Sequence, residues 1–393
     1  MNHLQSLFTE IFNKSEKELR RFFAPGRVNL IGEHIDYNGG YVLPCALDIG
    51  TYAVVSERVD NQINVYSNNF PEKGVVSFTL DELSFKAEHD WANYPKGVMK
   101  DFFDKGVMTS GLDIFFEGNI PNGAGLSSSA SIELVTAVLL NEVFQANEEM
   151  IDLVKLSQKV ENEFIGVKCG IMDQFAVGMG KDQHAILLHC DTLDYKYLQL
   201  DLKDSSIVIA NTNKKRGLAD SAYNERRTTC EIALAKIKEK VSSAIVTLAN
   251  LTVEEFEQSK AFLTETEQKR VLHVVSENIR TKQAALSLQN GNLNEFGLLM
   301  KQSHESLRDL YEVTGIELDT LVEAAWKHKG TIGARMTGAG FGGCTVNIVK
   351  NAEIRDFIEK VGNEYNEKIG YMPSFYTATI GEGAKELTES EVI

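Results

Sequence analysis

Residues 121–130 read PNGAGLSSSA, and their neighbours decide the fold. Before them, residues 112–117 (LDIFFE) form a short apolar run suited to a strand; after them, residues 131–144 (SIELVTAVLLNEVF) carry helical periodicity. The segment predicts a strand, a glycine-serine loop and a helix. Gly123 and Gly125 allow close backbone approach, and Ser127, Ser128 and Ser129 bring hydroxyls to a helix N-terminus, whose first N–H groups attract negative charge. Such a loop can cradle phosphate. It lacks the lysine of a GxxxxGK[ST] loop, and taken alone it reads equally well as a glycine turn with a serine cap.

Working outward, residues 24–50 mix turn and apolar residues, while residues 51–59 and 62–66 alternate as strands. Residues 152–164 have helical spacing, CGIMDQF at 169–175 turns into a new apolar segment, and residues 186–189 and 207–210 read as buried strands. Residues 219–327 are mostly helical. GARMTGAGFGG at 333–343 breaks that pattern as a second glycine-rich loop. The strand CTVNIV, the helix AEIRDFIEKVGNEYNEKI and the strand SFYTATI then predict a closing βαβ unit. The glutamate-rich tail from Gly381 is expected to fray. No linker composition marks a boundary, so two closely packed lobes meeting near residue 200 are expected, residues 1–200 and 201–393.

Composition narrows the function classes. Across 393 residues, 40 Lys and Arg stand against 56 Asp and Glu, a net charge of −16, with no long basic patch, so nucleic acid is not an expected partner. The five cysteines are widely spaced and never form CxxC, which fits reduced thiols in a cytoplasmic protein. The eight histidines lack HExxH spacing, so no dedicated transition-metal site is expected. Leu4, Leu7, Phe8, Ile11 and Phe12 share one helical face, and the polar residues between them argue for an amphipathic helix instead of a signal peptide. No window reaches the ~18 apolar residues of a membrane span, so no membrane partner is expected.

Several side chains could carry chemistry. RVNLIGEHIDYNGG at 27–40 concentrates Arg27, Asn29, Glu33, His34, Asp36, Tyr37 and Asn38. Carboxylates and amides bind vicinal hydroxyls, and a fixed arginine stabilises developing negative charge; the plainer reading is a solvated loop turning at Asn38-Gly39. Asp173, flanked by Ile171, Met172 and Phe175, is a base candidate or a helix cap. Glu161 reads as a magnesium ligand or a surface glutamate. Trp91 and Tyr94 could stack on an adenine or fill core, and Tyr223 could offer its hydroxyl to a ligand.

These motifs carry a resemblance. RVNLIGEHIDYNGG resembles the galactokinase signature, PNGAGLSSSAS the phosphate-binding motif of the GHMP kinase superfamily (galactokinase with homoserine, mevalonate and phosphomevalonate kinases), and GARMTGAGFGGC its third motif. The resemblance implies a two-lobed α+β fold, with an N-terminal lobe like ribosomal protein S5 domain 2, a C-terminal lobe of mostly helices over an antiparallel sheet, and the active site between them. It implies transfer of the γ-phosphate of ATP to the C1 hydroxyl of α-D-galactose, the first committed step of galactose catabolism. The alternatives are an N-acetylgalactosamine kinase and a non-catalytic sensor of galactose and ATP.

By the same resemblance Asp173 is the active-site base and Arg27 the transition-state stabiliser. Glu33, His34, Ile35, Asp36, Gly170, Asp173 and Tyr223 hold the sugar. Ser67, Trp91, Gly123, Ala124, Gly125, Leu126, Ser127, Ser128 and Ser129 hold ATP, and Ser129 with Glu161 binds Mg²⁺. The implied partners are galactose and MgATP, and the chain is expected to be a monomer, with a dimer left open. Two residues depart from the family pattern: Ile35 replaces a common threonine and Asn122 a common leucine.

Overall fold

β-branched and aromatic runs in the first half of the chain form strands, β1 (Arg20–Asn29), β2 (Tyr41–Val42), β3 (Pro44–Glu57), β4 (Gln62–Ser67), β5 (Val76–Thr79) and β6 (Leu112–Gly118). The computed structural model describes residues 2–14, 19–121, 125–214 and 219–388. β7 (His184–His189) and β8 (Tyr195–Gln199) join β2 in a three-stranded sheet. β9 (Ser205–Asn211), β10 (Thr331–Thr337), β11 (Cys344–Lys350) and β12 (Ser374–Ala378) make an antiparallel sheet in the order β10-β11-β9-β12. A last strand, β13 (Lys385–Glu386), returns to the first sheet, whose order is β13-β1-β3-β6-β4-β5.

Alternation along the strands gives the first sheet two apolar faces. Val54, Tyr66 and Phe115 on one face pack against Leu4 and Phe8 of α1 (Asn2–Phe12), the amphipathic helix expected from its spacing. Ala53, Val55, Val65, Ile114 and Phe116 on the other face meet α2 (Asn93–Asp104), α3 (Ser128–Val143), α4 (Met150–Lys159) and α5 (Met172–Gly178). α3 is apolar nearly all round and runs through the core. The Ser131 hydroxyl pins it to the sheet, at 2.8 Å from both the Ala24 carbonyl oxygen and Thr51 Oγ1.

The second half folds as α6 (Ala219–Lys240), α7 (Val253–Ser259), α8 (Glu265–Gln289), α9 (Leu293–Ser306), α10 (Gly315–Lys327) and α11 (Ile354–Ile369). Thr252 with Glu255 and Thr264 with Glu267 form capping boxes that start α7 and α8, satisfying N–H groups that a helix leaves open. Among the described residues no helix is long and apolar enough to cross a membrane.

The structure corrects four sequence expectations. The stretch 333–343 is not all loop, because residues 331–337 form β10, whose Ala334 and Met336 are fully buried. The closing βαβ unit is split, since β11 and β12 both pair antiparallel to β9, which lies between them. Residues 152–164 are not one helix; α4 widens into a π-turn at Val160–Ile165. Finally, the tail does not fray through residue 388. Gly383 and Ala384 donate backbone hydrogen bonds to Gly180 and Val177, and Leu387 to Arg21 at 2.8 Å. Arg20 grips Glu386 through two bonds of 2.7 Å. Glu389 and Glu391 lie outside the described residues.

Those three backbone bonds are worth about 1 kcal/mol each. Deleting residues 382–393 should therefore lower the thermal unfolding midpoint by several degrees, read by calorimetry; an unchanged midpoint would show that the tail adds nothing to the fold.

Candidate active site

The ends of β1 and β10 meet at Asn29. Its backbone N–H donates to Thr337 Oγ1 at 3.1 Å, and its carbonyl accepts from Arg335 Nη1 at 2.8 Å. Past this junction β1 ends, and residues 30–40 turn back so that Glu33, His34, Asp36 and Tyr37 line a cleft. α8 holds the turn from behind: Glu277 accepts from the Gly32 N–H at 3.0 Å, and His273 Nε2 lies 3.1 Å from the Glu33 carbonyl oxygen. The opposite wall is the loop entering α3. Gly26 permits its approach, since a Cβ there would lie 2.8 Å from the Leu126 carbonyl oxygen. The Arg27 N–H donates to that same oxygen at 3.1 Å.

Arg27 and Asp173 stand at the centre. Arg27 Nε and Nη2 donate to Asp173 Oδ1 and Oδ2 at 2.8 and 2.6 Å, while Nη1 donates to the Gly125 carbonyl at 2.8 Å. Ser127, in the left-handed region at φ 62°, donates from its hydroxyl to Asp173 Oδ2 at 2.5 Å. An ionised carboxylate offers about four lone-pair sites; three are filled, which leaves room for one more donor. The guanidinium is 4% exposed. Burial opposes its charge, but the Asp173 carboxylate more than compensates and holds its pKa above the usual value.

Arg27, Glu33, His34, Asp36, Gly125, Leu126, Ser127, Ser128, Ser129, Glu161, Gly170, Asp173 and Tyr223 all line one cleft of about 520 Å³, within the usual range of small-ligand sites. Burial, reinforced by Asp173, pushes the Asp36 carboxyl up to about 7. Gly170 packs directly on it, and a Cβ there would sit 1.9 Å from Asp36 Oδ2. Glu33 is buried and ion-paired to Arg335 at 2.7 Å; burial outweighs that arginine and raises its pKa.

His34 lines the cleft with both ring nitrogens engaged by the protein. Its Nε2 faces the Ala339 carbonyl oxygen at 3.1 Å and must donate; its Nδ1 lies 2.9 Å from the Tyr37 hydroxyl. Burial, then His273, lowers its pKa to about 3, so the ring is neutral and Nδ1 accepts. The Tyr37 hydroxyl donates to His34 and accepts from Tyr311 at 2.9 Å, and Tyr311 accepts from the Cys230 thiol at 3.2 Å. With both nitrogens engaged, the ring forms a wall of the cleft and ties residues 34–37 to the second glycine-rich loop. Ile35 does not line the cleft. Its side chain is fully buried against Gly40.

A second, more apolar pocket shares Tyr94, Ile120, Ser128 and Ser129 with the cleft and adds Ser67, Phe70, Trp91 and Phe116. Trp91 is both core and pocket wall, with its edge to Phe116 at 5.9 Å and its Nε1 buried without a partner. Gly123, Ala124 and Asn122 lie outside the described residues. Glu161, on the π-turn, is buried, and burial together with Asp173 pushes it up to about 7. Gln174 Nε2 donates to it at 2.6 Å. Behind it Glu133 is fully buried with both oxygens unpartnered.

The galactokinase galactose-binding signature matches residues 6–57, the N-terminal domain of GHMP kinases residues 93–181, and the C-terminal domain of GHMP kinases residues 284–367. The sequence is 59% identical over 379 residues to a galactokinase of Fusobacterium nucleatum, spanning 96% of this chain and 97% of that protein. This chain belongs to the galactokinase family. It is also 54% identical over 386 residues to a galactokinase of Bacillus subtilis, spanning 98% of each. The crystal structure of a Lactococcus lactis galactokinase complexed with galactose matches it with a TM-score of 0.95 at 46% identity, over 98% of this chain and 99% of that one. A mevalonate kinase at 19% identity and a TM-score of 0.65, over 92% and 98%, shares the fold. The α+β architecture is thus the GHMP kinase fold.

Arg335, Tyr311, Glu277 and Gln174 were not singled out from sequence. Arg335 alone carried a signal, a charge inside the apolar run that leads into MTGAGFGG.

Gly170→Ala should push the Asp36 carboxylate out of place and weaken sugar binding. Displacements near 1 Å commonly cost about 10²-fold. Galactose calorimetry checks this, with a circular dichroism spectrum like that of the parent protein; unchanged affinity would remove Gly170 from the wall.

Proposed function

We propose that the protein transfers the γ-phosphoryl group of ATP to the C1 hydroxyl of α-D-galactose, giving galactose 1-phosphate and ADP. The observation that carries this reading is the convergence of an arginine-carboxylate fork, a helix N-terminus with three serines, and a polar wall of carboxylates in a single cleft. Membership of the galactokinase family supports the acceptor. The lobes divide near residue 200 in this reading, with β13 crossing back to the first sheet.

Glu33, Asp36, Gly170 and Tyr223 hold the sugar, the His34 ring closes its wall, and the C1 hydroxyl donates to the open site on Asp173. The adenine occupies the pocket of Ser67 and Trp91. The triphosphate runs toward Gly123–Ser129, where the first N–H groups of α3 have no helical partner and the dipole favours anions. During transfer the C1 oxygen bonds to the γ-phosphorus as the bond to the β-phosphate oxygen breaks, and the hydroxyl proton passes to Asp173. Phosphoryl transfer proceeds through a loose transition state, so alignment and charge neutralisation do most of the work. Arg27 lies beside Asp173 to meet that charge.

Ser129 and Glu161 fit Mg²⁺. Both line the cleft, Glu161 is a buried carboxyl with no cationic side chain bonded to it, and a second buried carboxyl stands behind it. Hard oxygen donors of this kind suit a magnesium ion that takes its other ligands from phosphates and water. Bound there, Mg²⁺ would withdraw charge from the phosphates of ATP.

ADP release should depend on galactose, with phosphate on C1 by NMR. Turnover only with N-acetylgalactosamine, or galactose binding with no turnover, would replace this reading with one of its two alternatives. Asp173→Asn keeps the shape beside Arg27 and should cost ~10²–10⁴ in kcat with sugar binding retained. It is the cleaner variant, because Asp173→Ala leaves a buried guanidinium unpaired, a change that commonly costs ~3–5 kcal/mol of stability. Near-parental turnover by Asp173→Asn would remove this carboxylate from the chemistry.

A further inference from the structure

The catalytic scheme leaves two buried polar side chains unused. Gln174 follows Asp173 on α5 and is fully buried, yet its Oε1 has no partner; Glu133 on α3 is fully buried with both oxygens unpartnered. Buried polar atoms normally pair, so three orphaned oxygens close together call for an explanation. Glu133 lies one helical turn beyond Ser129, so the two share a face of α3. Gln174 donates from Nε2 to Glu161 Oε2 at 2.6 Å, and the same amide stands next to the Glu133 carboxyl.

We propose that Gln174 is a positioning residue for the divalent cation: fully buried on α5 and bonded to Glu161 through Nε2, its amide fixes the Glu161 carboxylate in the orientation that a phosphate-bound metal ion requires. The inference rests on the reading of Ser129 and Glu161 as the metal ligands. Reversal of the amide would set its carbonyl oxygen against the Glu161 carboxylate, so Glu161 favours the orientation in which Nε2 donates to it. The π-turn that carries Glu161 has looser backbone geometry than an α-helix, which makes an external side-chain anchor more consequential there.

Groups that orient a metal ligand typically carry 10–100-fold in metal affinity. The test titrates Mn²⁺ into the full-length protein saturated with ADP and reads free Mn²⁺ by electron paramagnetic resonance. Gln174→Met removes both ends of the amide at similar volume and should weaken Mn²⁺ binding about 10–100-fold. Galactose affinity by calorimetry should stay within twofold of the parent, a pattern that loss of folding would not give. Gln174→Asn keeps a polar side chain, withdraws the amide by one methylene, and should show the same weakening if the methionine variant does not fold.

In turnover, the Mg²⁺ concentration for half-activation should rise by the same factor, with kcat at saturating Mg²⁺ near the parental value. Glu161→Ala should abolish the Mn²⁺ binding that Gln174→Met only weakens. Parental Mn²⁺ affinity in both Gln174 variants, with Glu161→Ala deficient, would overturn the inference and leave the metal site standing. Parental affinity in Glu161→Ala would overturn the metal-site reading and the inference with it.

Discussion

Two parallel hydrogen bonds from Arg27 to Asp173 tie the last residues of β1 to the first turn of α5, and the cleft is built around them. A guanidinium this buried persists only with a partner of matching charge and geometry, because removing one member leaves an uncompensated ion. The remaining Arg27 nitrogen holds the Gly125 carbonyl, and Ser127 completes the ring of donors around Asp173. One ion pair therefore sets the positions of the strand, the helix and the loop at Gly125–Ser127 together. The absence of a side chain at Gly26 and the shift in strand register between Pro25 and Arg27 serve the same end, bringing the loop backbone close to β1.

Around that pair the cleft carries an excess of acid. Glu33, Asp36, Glu161 and Asp173 line it, Glu133 lies behind, and Arg27 and Arg335 are the cations bonded to them. The excess is managed by burial, which lifts Asp36 and Glu161 to about 7 and keeps part of the charge off the site near neutral pH. An acidic wall is suited to neutral hydroxyls as hydrogen-bond donors. An acidic pair at the far side is suited to a metal ion that accompanies a phosphate. His34 stays neutral between them, locked by a one-way chain of hydroxyls from Cys230 to the Ala339 carbonyl.

The parts of this arrangement legible in sequence were local ones. Strand, loop and helix around residues 112–144 follow from apolar periodicity and from glycine and serine placement, and the structure keeps that order, with the helix starting at Ser128. That Arg27, Glu33, His34 and Asp36 gather with residues 125–129, 161, 170, 173 and 223 at one cleft came through motif resemblance, since no periodicity brings together segments so far apart. Glu277 was illegible because it is a charged residue in an otherwise ordinary helix; Arg335 carried a signal, but its partner Glu33 comes only with tertiary packing. The partners of the His34 ring were illegible for a related reason. Its two nitrogens are satisfied by Tyr37 nearby and by Ala339 from a distant loop. β13 escaped notice because two residues amid glutamates carry no strand pattern, and only pairing to β1, with Arg20 on Glu386, orders them.

The most direct test of the Arg27–Asp173 fork as the seat of transfer is a crystal structure of the protein with galactose and a non-hydrolysable ATP analogue. The account predicts the C1 oxygen within ~3.2 Å of an Asp173 carboxylate oxygen, about 3–3.5 Å from the γ-phosphorus and in line with the leaving oxygen, with Arg27 alongside. A sugar bound with C1 turned away from Asp173, or a triphosphate lying outside the loop at Ser127–Ser129, would contradict it.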